Sequence, residues 1–185
     1  MEKYLPVVVV NNVEETDRVL RALKNNGIKT AEITFRTSYA AEAIEYTRKK
    51  YPEMYVGAGT VINEDQCKKA ITTGAQFIVS PGFSVTIAKV CKANHIDYYP
   101  GCVTPTEIMA AIELGITTVK FFPANVYGGM KAMKALSAPF PQIKFIPTGG
   151  IDRTNIDEFL SWNKIVAVGG SFFVKEALEK AEENK

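Results

Sequence analysis

Short apolar runs and longer mixed stretches alternate along the whole chain. Runs of strand length fall at residues 5–10, 30–35, 55–59, 77–80, 97–100, 118–122, 144–147 and 165–169. Between them, segments 13–26, 38–50, 64–73, 86–94, 105–114 and 155–161 carry the period of an amphipathic helix. In the first of these, Val13, Thr16, Val19, Leu20 and Leu23 recur on one helical face. Punctuation agrees with the periodicity. Asn63 with Gln66, and Thr104 with Glu107, have the spacing of an N-terminal cap followed three residues later by a Glu or Gln that reaches back. Pro105 then occupies the first helical position, where its missing N–H costs nothing. Gly27, Gly74 and Gly115 stand where helices should stop, whereas Gly128-Gly129 reads as a plain tight turn.

Several of the eight strand segments are apolar throughout, as strands covered on both faces are. Eight strand-then-helix units with short connections predict an α/β fold, a compact (β/α)8 TIM barrel in one domain over residues 1–185. A doubly wound open sheet is the alternative, but no GxGxxG follows the first strand. At 185 residues the barrel falls below the usual range, so some of its elements must be short.

Composition narrows the class. The chain is 46% hydrophobic and 23% charged, and a domain of this length buries roughly 70% of its unfolded surface without a disulfide or metal staple. With 22 basic and 20 acidic residues, no electrostatic case for nucleic acid exists. No apolar stretch approaches the length of a membrane span, and the valine run at 7–10 is too short for a secretion signal, so a soluble, cytoplasmic protein is expected. Cys67, Cys91 and Cys102 lack metal-ligand spacing and read as buried, reduced thiols. His95 is the single histidine, which rules out a two-histidine metal site; it reads as a solvated residue at a helix end. No metal or cofactor is called for.

Charged residues interrupt two of the strands. In Ala31-Glu32-Ile33-Thr34-Phe35-Arg36-Thr37 the period of two puts Glu32, Thr34 and Arg36 on one face and the apolar residues on the other. The apolar face belongs against helices, so the charged face points inward, where a charge needs a partner or a ligand. A structural pair between Glu32 and Arg36 is the plain explanation. Lys120 repeats the anomaly, between large apolar neighbours and in phase with Thr118 and Phe122. Apolar surroundings favour the neutral amine that a Schiff-base lysine needs; a lysine snorkelling from the strand end is the alternative. Pro147-Thr148-Gly149-Gly150 and Gly169-Gly170-Ser171 close the last two strands, where this fold places phosphate sites and where a following helix would add its positive end. Gly57-Ala58-Gly59-Thr60 and Ser80-Pro81-Gly82 close strands three and four, as donors to the same mouth or as ordinary turns. A lysine, a glutamate, an arginine and a phosphate cradle suggest chemistry on a phosphorylated keto acid, with Arg36 holding a carboxylate in two-point fashion.

At these residues the chain resembles the 2-keto-3-deoxy-6-phosphogluconate (KDPG) and 4-hydroxy-2-oxoglutarate (KHG) aldolases. The resemblance runs in order through Ala31-Glu32-Ile33-Thr34-Phe35-Arg36-Thr37, Val56-Gly57-Ala58-Gly59-Thr60, Ile78-Val79-Ser80-Pro81-Gly82, Tyr99-Pro100-Gly101, Val119-Lys120-Phe121-Phe122-Pro123-Ala124, Ile146-Pro147-Thr148-Gly149-Gly150-Ile151 and Val168-Gly169-Gly170-Ser171. It implies a metal-independent class I aldolase without cofactors, a homotrimer, that reversibly cleaves KDPG to pyruvate and D-glyceraldehyde 3-phosphate in Entner–Doudoroff carbohydrate metabolism. It makes Lys120 the Schiff-base lysine and Glu32 the acid/base. Arg36 and Thr60 become carboxylate contacts, Phe122 a pocket wall, Thr148 a substrate contact, and Gly149, Gly150, Gly170 and Ser171 the phosphate site. Two features depart from the family: the helix that usually precedes the first strand has no counterpart, and the tail after Phe173 reads as short, ending in the charged run at 180–185. The alternatives are a pyruvate aldolase acting on the galactonate-derived epimer or on 4-hydroxy-2-oxoglutarate, and a trimmed or engineered trimeric assembly scaffold with incidental activity. Val85, Ile87 and Val90 belong to core or interface.

Overall fold

A computed structural model describes residues 2–183. Among them eight strands alternate with eight helices: β1 (Tyr4–Val8), α1 (Val13–Asn25), β2 (Thr30–Thr34), α2 (Ala40–Lys50), β3 (Tyr55–Gly59), α3 (Glu64–Thr72), β4 (Phe77–Val79), α4 (Val85–Ala93), β5 (Asp97–Tyr99), α5 (Pro105–Glu113), β6 (Thr118–Phe121), α6 (Gly129–Ser137), β7 (Lys144–Pro147), α7 (Ile156–Leu160), β8 (Val168–Gly170) and α8 (Phe172–Glu183). All pairings are parallel. Six strands form one sheet in the order β5-β4-β3-β2-β1-β8, and β6 pairs with β7. Single bridges join the two groups: Gly101 to Lys120 on one side, Phe145 to Ile165 and Thr148 to Gly169 on the other. No described helix is long and apolar enough to cross a membrane.

Each strand divides its side chains between two environments. Ala31, Ile33, Val56, Ala58 and Ile78 join Leu20, Leu23, Ile44 and Cys67 in an outer apolar layer between β1–β5 and the helices covering them. Val119, Phe121, Phe145 and Val168 do the same with Ile108, Met133 and Phe159 on the other half. The opposite face is filled at the strand starts by Leu5, Phe77, Ile146 and Ala167, with Tyr55 and Tyr99 packed against them. Phe77 lies between the two tyrosine rings, at centroid separations of 4.9 and 5.9 Å. Polar side chains of the inner face lie beside and beyond this plug.

The helix signals translate into hydrogen bonds. Thr104 accepts from the Glu107 N–H while the Glu107 carboxylate accepts from the Thr104 N–H, a complete capping box. Asn63 caps α3 at the Gln66 N–H, but Gln66 reaches back to the Ile62 N–H instead. Gly27, Gly74 and Gly115 all take positive φ, and the next residue's N–H returns to a carbonyl one turn back, as in Ile28 to Leu23 at 3.0 Å. His95 completes the set. It takes φ 56° at the end of α4, with Ile96 N–H on the Cys91 carbonyl at 3.0 Å, and its ring is exposed as expected.

Two helices depart from the sequence reading. Gly128-Gly129 is not a plain turn: Gly128, at φ 90°, is the N-cap of α6, which buries Met130 and Met133. The segment after Ser171, where no helical period is read, is a helix of 12 residues, α8. Arg153 holds it in place, donating to both Glu176 carboxylate oxygens at 3.0–3.1 Å and lying over the Phe172 and Phe173 rings. The last two residues of the charged run, 184 and 185, lie outside the described residues. Val13, grouped with the buried face of α1, is 36% exposed. Ile87 is core and Val85 is on the surface.

The plug allows little freedom. A methyl group on Gly57 would run into the Phe77 ring, and overpacking of this kind costs typically about 1–3 kcal/mol. Gly57→Ala should therefore lower the urea midpoint by a corresponding amount with an unchanged slope; an unchanged midpoint would show that Phe77 can move aside.

Candidate active site

The inner face of β2 carries Thr30, Glu32 and Thr34, all buried. Thr30 and Thr34 satisfy their hydroxyls on β1, donating to the Tyr4 and Val8 carbonyls at 2.5 and 3.0 Å. Glu32 has no such backbone partner. Its carboxylate occupies space vacated by Gly59, where any side chain would overlap it. From β6, Lys120 reaches the same point, its Nζ 3.2 Å from Glu32 Oε1. Glu32 is wholly buried and Lys120 is 5% exposed. The partner of Glu32 is thus Lys120, not Arg36. The period of two gives a side chain's direction, and only the packing of β2 against β6 decides whom it meets.

Arg36 leaves the end of β2 and is exposed. Its Nε donates to Thr60 Oγ1 at 3.3 Å. Thr60 takes φ 54°, an outlying conformation for a β-branched residue that costs on the order of 1–3 kcal/mol. Gly59 is adjacent to Thr60, so Arg36, Thr60, Glu32 and Lys120 form a continuous series of neighbours. The series goes on through β6: the Lys120 ammonium sits 5.4 Å from the Phe122 ring centre, and Gly149 packs on Phe122 and Pro123.

Thr148 follows β7, with its side chain directed at Gly169, where a Cβ would strike Oγ1. Its hydroxyl is buried without a hydrogen-bond partner, and so is Glu32 Oε2. Buried polar atoms are normally paired, so two unpaired ones at one mouth leave donor and acceptor capacity for a bound molecule. Gly149 and Gly150 have φ 95° and 70°. The Gly149 carbonyl accepts from the Asn125 N–H at 3.2 Å, and the Gly150 carbonyl from Asn155 Nδ2 at 3.0 Å. Ser171 is exposed, and its carbonyl accepts from Val174 and Lys175 N–H groups at the start of α8. The helix after Gly150 does not follow directly: α7 starts at Ile156 and has five residues. The helix end expected at this corner is therefore that of α8 alone.

Asn125 escaped the sequence reading, and two glycines take another part than the one read for them: Gly59 and Gly169 are strand residues whose missing side chains house Glu32 and Thr148. Asn125 covers Gly150 so closely that a Cβ there would overlap its amide. A glycine in a strand is a recognisable signal of close approach, but which side chain approaches is a tertiary fact. Among the described residues, no three of His, Cys, Asp and Glu are grouped as metal ligands.

Breaking a buried ion pair by removing one member typically costs about 3–5 kcal/mol, because a charge is left unpaired. Lys120→Met and Glu32→Leu should each destabilise by that order, while the double variant should lose much less. Urea unfolding of the four proteins measures the coupling; additive losses would mean that the two side chains do not hold each other.

The KDPG and KHG aldolase family model matches residues 1–185. A 2-dehydro-3-deoxy-phosphogluconate aldolase of Treponema pallidum is 42% identical over 172 residues, which are 93% of this chain and 82% of the relative. A KHG/KDPG aldolase of Escherichia coli is 38% identical over 179 residues, 96% of this chain and 84% of the relative. The crystal structure of the Legionella pneumophila KDPG aldolase, with pyruvate captured as a covalent carbinolamine intermediate, superimposes with a TM-score of 0.91 at 36% identity, covering 97% of this chain and 88% of the other. A buried lysine–glutamate pair at the open end of parallel strands, and this agreement over nearly the full length, place the chain in the KDPG and KHG aldolase family.

Proposed function

We propose that this chain is a class I aldolase that cleaves 2-keto-3-deoxy-6-phosphogluconate reversibly to pyruvate and D-glyceraldehyde 3-phosphate. The observation that carries the proposal is the Lys120 amine, 3.2 Å from the Glu32 carboxylate and shielded from water. Glu32 can take the proton that Lys120 must lose before it attacks a carbonyl carbon. Addition to the keto group and loss of water give a protonated imine on Lys120. This imine draws the electron pair of the C3–C4 bond into an enamine while the C4 hydroxyl proton passes to Glu32, directly or through water. The aldehyde leaves, Glu32 returns a proton to the enamine carbon, and water releases pyruvate from the lysine.

The remaining residues take binding roles in this reading. Arg36, held by the Thr60 hydroxyl, faces the keto acid's carboxylate. Phe122 forms the wall beside the imine. The unpaired Thr148 hydroxyl supports a contact to the bound substrate, and Gly149, Gly150, Gly170 and Ser171, at the start of α8, suit its phosphate. The bridges on both sides of the β6–β7 pair support closure of the eight strands into a single-domain (β/α)8 barrel. A phosphorylated, multiply charged substrate does not cross lipid unaided, which favours a cytoplasmic location. A second reading, cleavage of 4-hydroxy-2-oxoglutarate, draws support from the E. coli relative named for both activities. Comparing kcat/KM for the two substrates ranks them.

Borohydride reduction in the presence of pyruvate, followed by peptide mapping, should leave a stable adduct on Lys120 and none in Lys120→Ala. Glu32→Gln should still form the adduct while the exchange of pyruvate methyl protons with solvent slows about 10²–10⁴-fold, the usual range for a lost acid/base. An adduct elsewhere removes Lys120 from its role, and unchanged exchange removes Glu32. Exposed Ile62, Val85 and Met109, on three successive strand–helix units, support assembly as a homotrimer. Light scattering should give three chains per particle; a much larger closed particle would favour the scaffold reading.

A further inference from the structure

None of this chemistry uses Cys67 or Cys91. Cys67 is in α3 and Cys91 in the last turn of α4, and their Sγ atoms lie 3.6 Å apart. Both belong to the outer apolar layer, at 0% and 1% exposure. Cys91 also borders a cleft of about 220 Å³ that opens to solvent beside Ile96, Tyr98 and Leu114. Two thiols in contact on neighbouring helices, one of them at the wall of a small cleft, form a different environment from that of Cys102, which lies in the other half of the outer layer.

We propose that Cys67 and Cys91 form a reversible intramolecular disulfide when the protein meets a small peroxide. A disulfide bond is about 2.05 Å long, so the sulfurs must close by roughly 1.5 Å, within reach of side-chain rotation on two adjoining helices. One sulfur attacks the peroxide O–O bond and becomes a sulfenic acid, releasing one water. The other sulfur attacks it and expels the hydroxyl as a second water. Two thiols and one hydrogen peroxide thus give one S–S bond and two waters, and the peroxide is the species reduced. The present contact favours the first step. The hydrogen bond from Cys91 draws the Cys67 thiol below its usual range, while the same bond and burial push the Cys91 thiol well above it. Cys102 has its thiol pushed up to about 12 by burial and belongs to the other half of the outer layer, so it serves as an internal control.

The test uses the folded, reduced chain, exposed to a few equivalents of hydrogen peroxide, then alkylated with iodoacetamide and digested without reductant. The expected result is a Cys67–Cys91 peptide pair lighter by two hydrogens, two titratable thiols lost per chain, and Cys102 alkylated only after unfolding. Dithiothreitol should restore both thiols. Oxidation should also raise the thermal midpoint by several degrees in the parent protein and leave Cys67→Ser unshifted, because the cross-link closes a loop between two helices. The proposal is overturned if Cys67 and Cys91 are recovered as free thiols, as sulfinic acids or as a bridge between chains. Should Cys67→Ser fold poorly, the peptide map of the parent protein decides alone.

Discussion

Lys120 and Glu32 hold opposite charges in contact and out of water, and much of the inner face is arranged to make that tolerable. A pair of this kind gains from mutual attraction only when geometry is good and the remaining polar atoms are accounted for. Aromatic and aliphatic side chains fill much of the inner face around the pair. Gly59 gives up its side chain so that the glutamate fits. Phe122 offers the lysine the negative face of its ring. What stays unsatisfied, Glu32 Oε2 and the Thr148 hydroxyl, is what a bound molecule would complete.

Much of this architecture was legible before any coordinates. Six of the eight helices follow from the period of their apolar residues, α3 and α5 with both a start and a stop signal, and the strand segments fall within a few residues of where they were read. The inward face of β2 followed from its alternation. What failed did so for identifiable reasons. α6 begins on glycines at positive φ with no side-chain cap, so nothing in its local sequence marks an entry. α8 follows a Gly-Gly-Ser turn and ends in charges, and Arg153, which keeps it on the body, stands 23 positions before its partner Glu176. The Glu32–Lys120 pair spans 88 positions. A period of two reports only a direction, so Arg36, four residues from Glu32, was an equally reasonable partner until the packing turned it toward Thr60.

The sulfur pair illustrates the same point from the outer layer. Cys67 and Cys91 read as inert packing, and by burial they are. Their contact across α3 and α4 is a property of two helices laid side by side, and neither helix announces it.

The sheet is continuous within its six-stranded and two-stranded parts, but the seams between them are held by isolated bridges. Lys120 is one of the residues making the first seam, with its N–H on the Pro100 carbonyl and its own carbonyl on the Cys102 N–H. Thr148 stands at the second, opposite Gly169. The residues with the greatest chemical potential therefore also serve as stitches where hydrogen bonding is sparsest. Fluctuations that open this fold begin where few bonds resist them, so breathing motions would reach Lys120 before they reach the apolar layers. Opening the first seam would also pull Lys120 away from Glu32, exposing two unmatched charges. The ion pair thus acts as an electrostatic clasp beside a sparsely bonded seam of the wall.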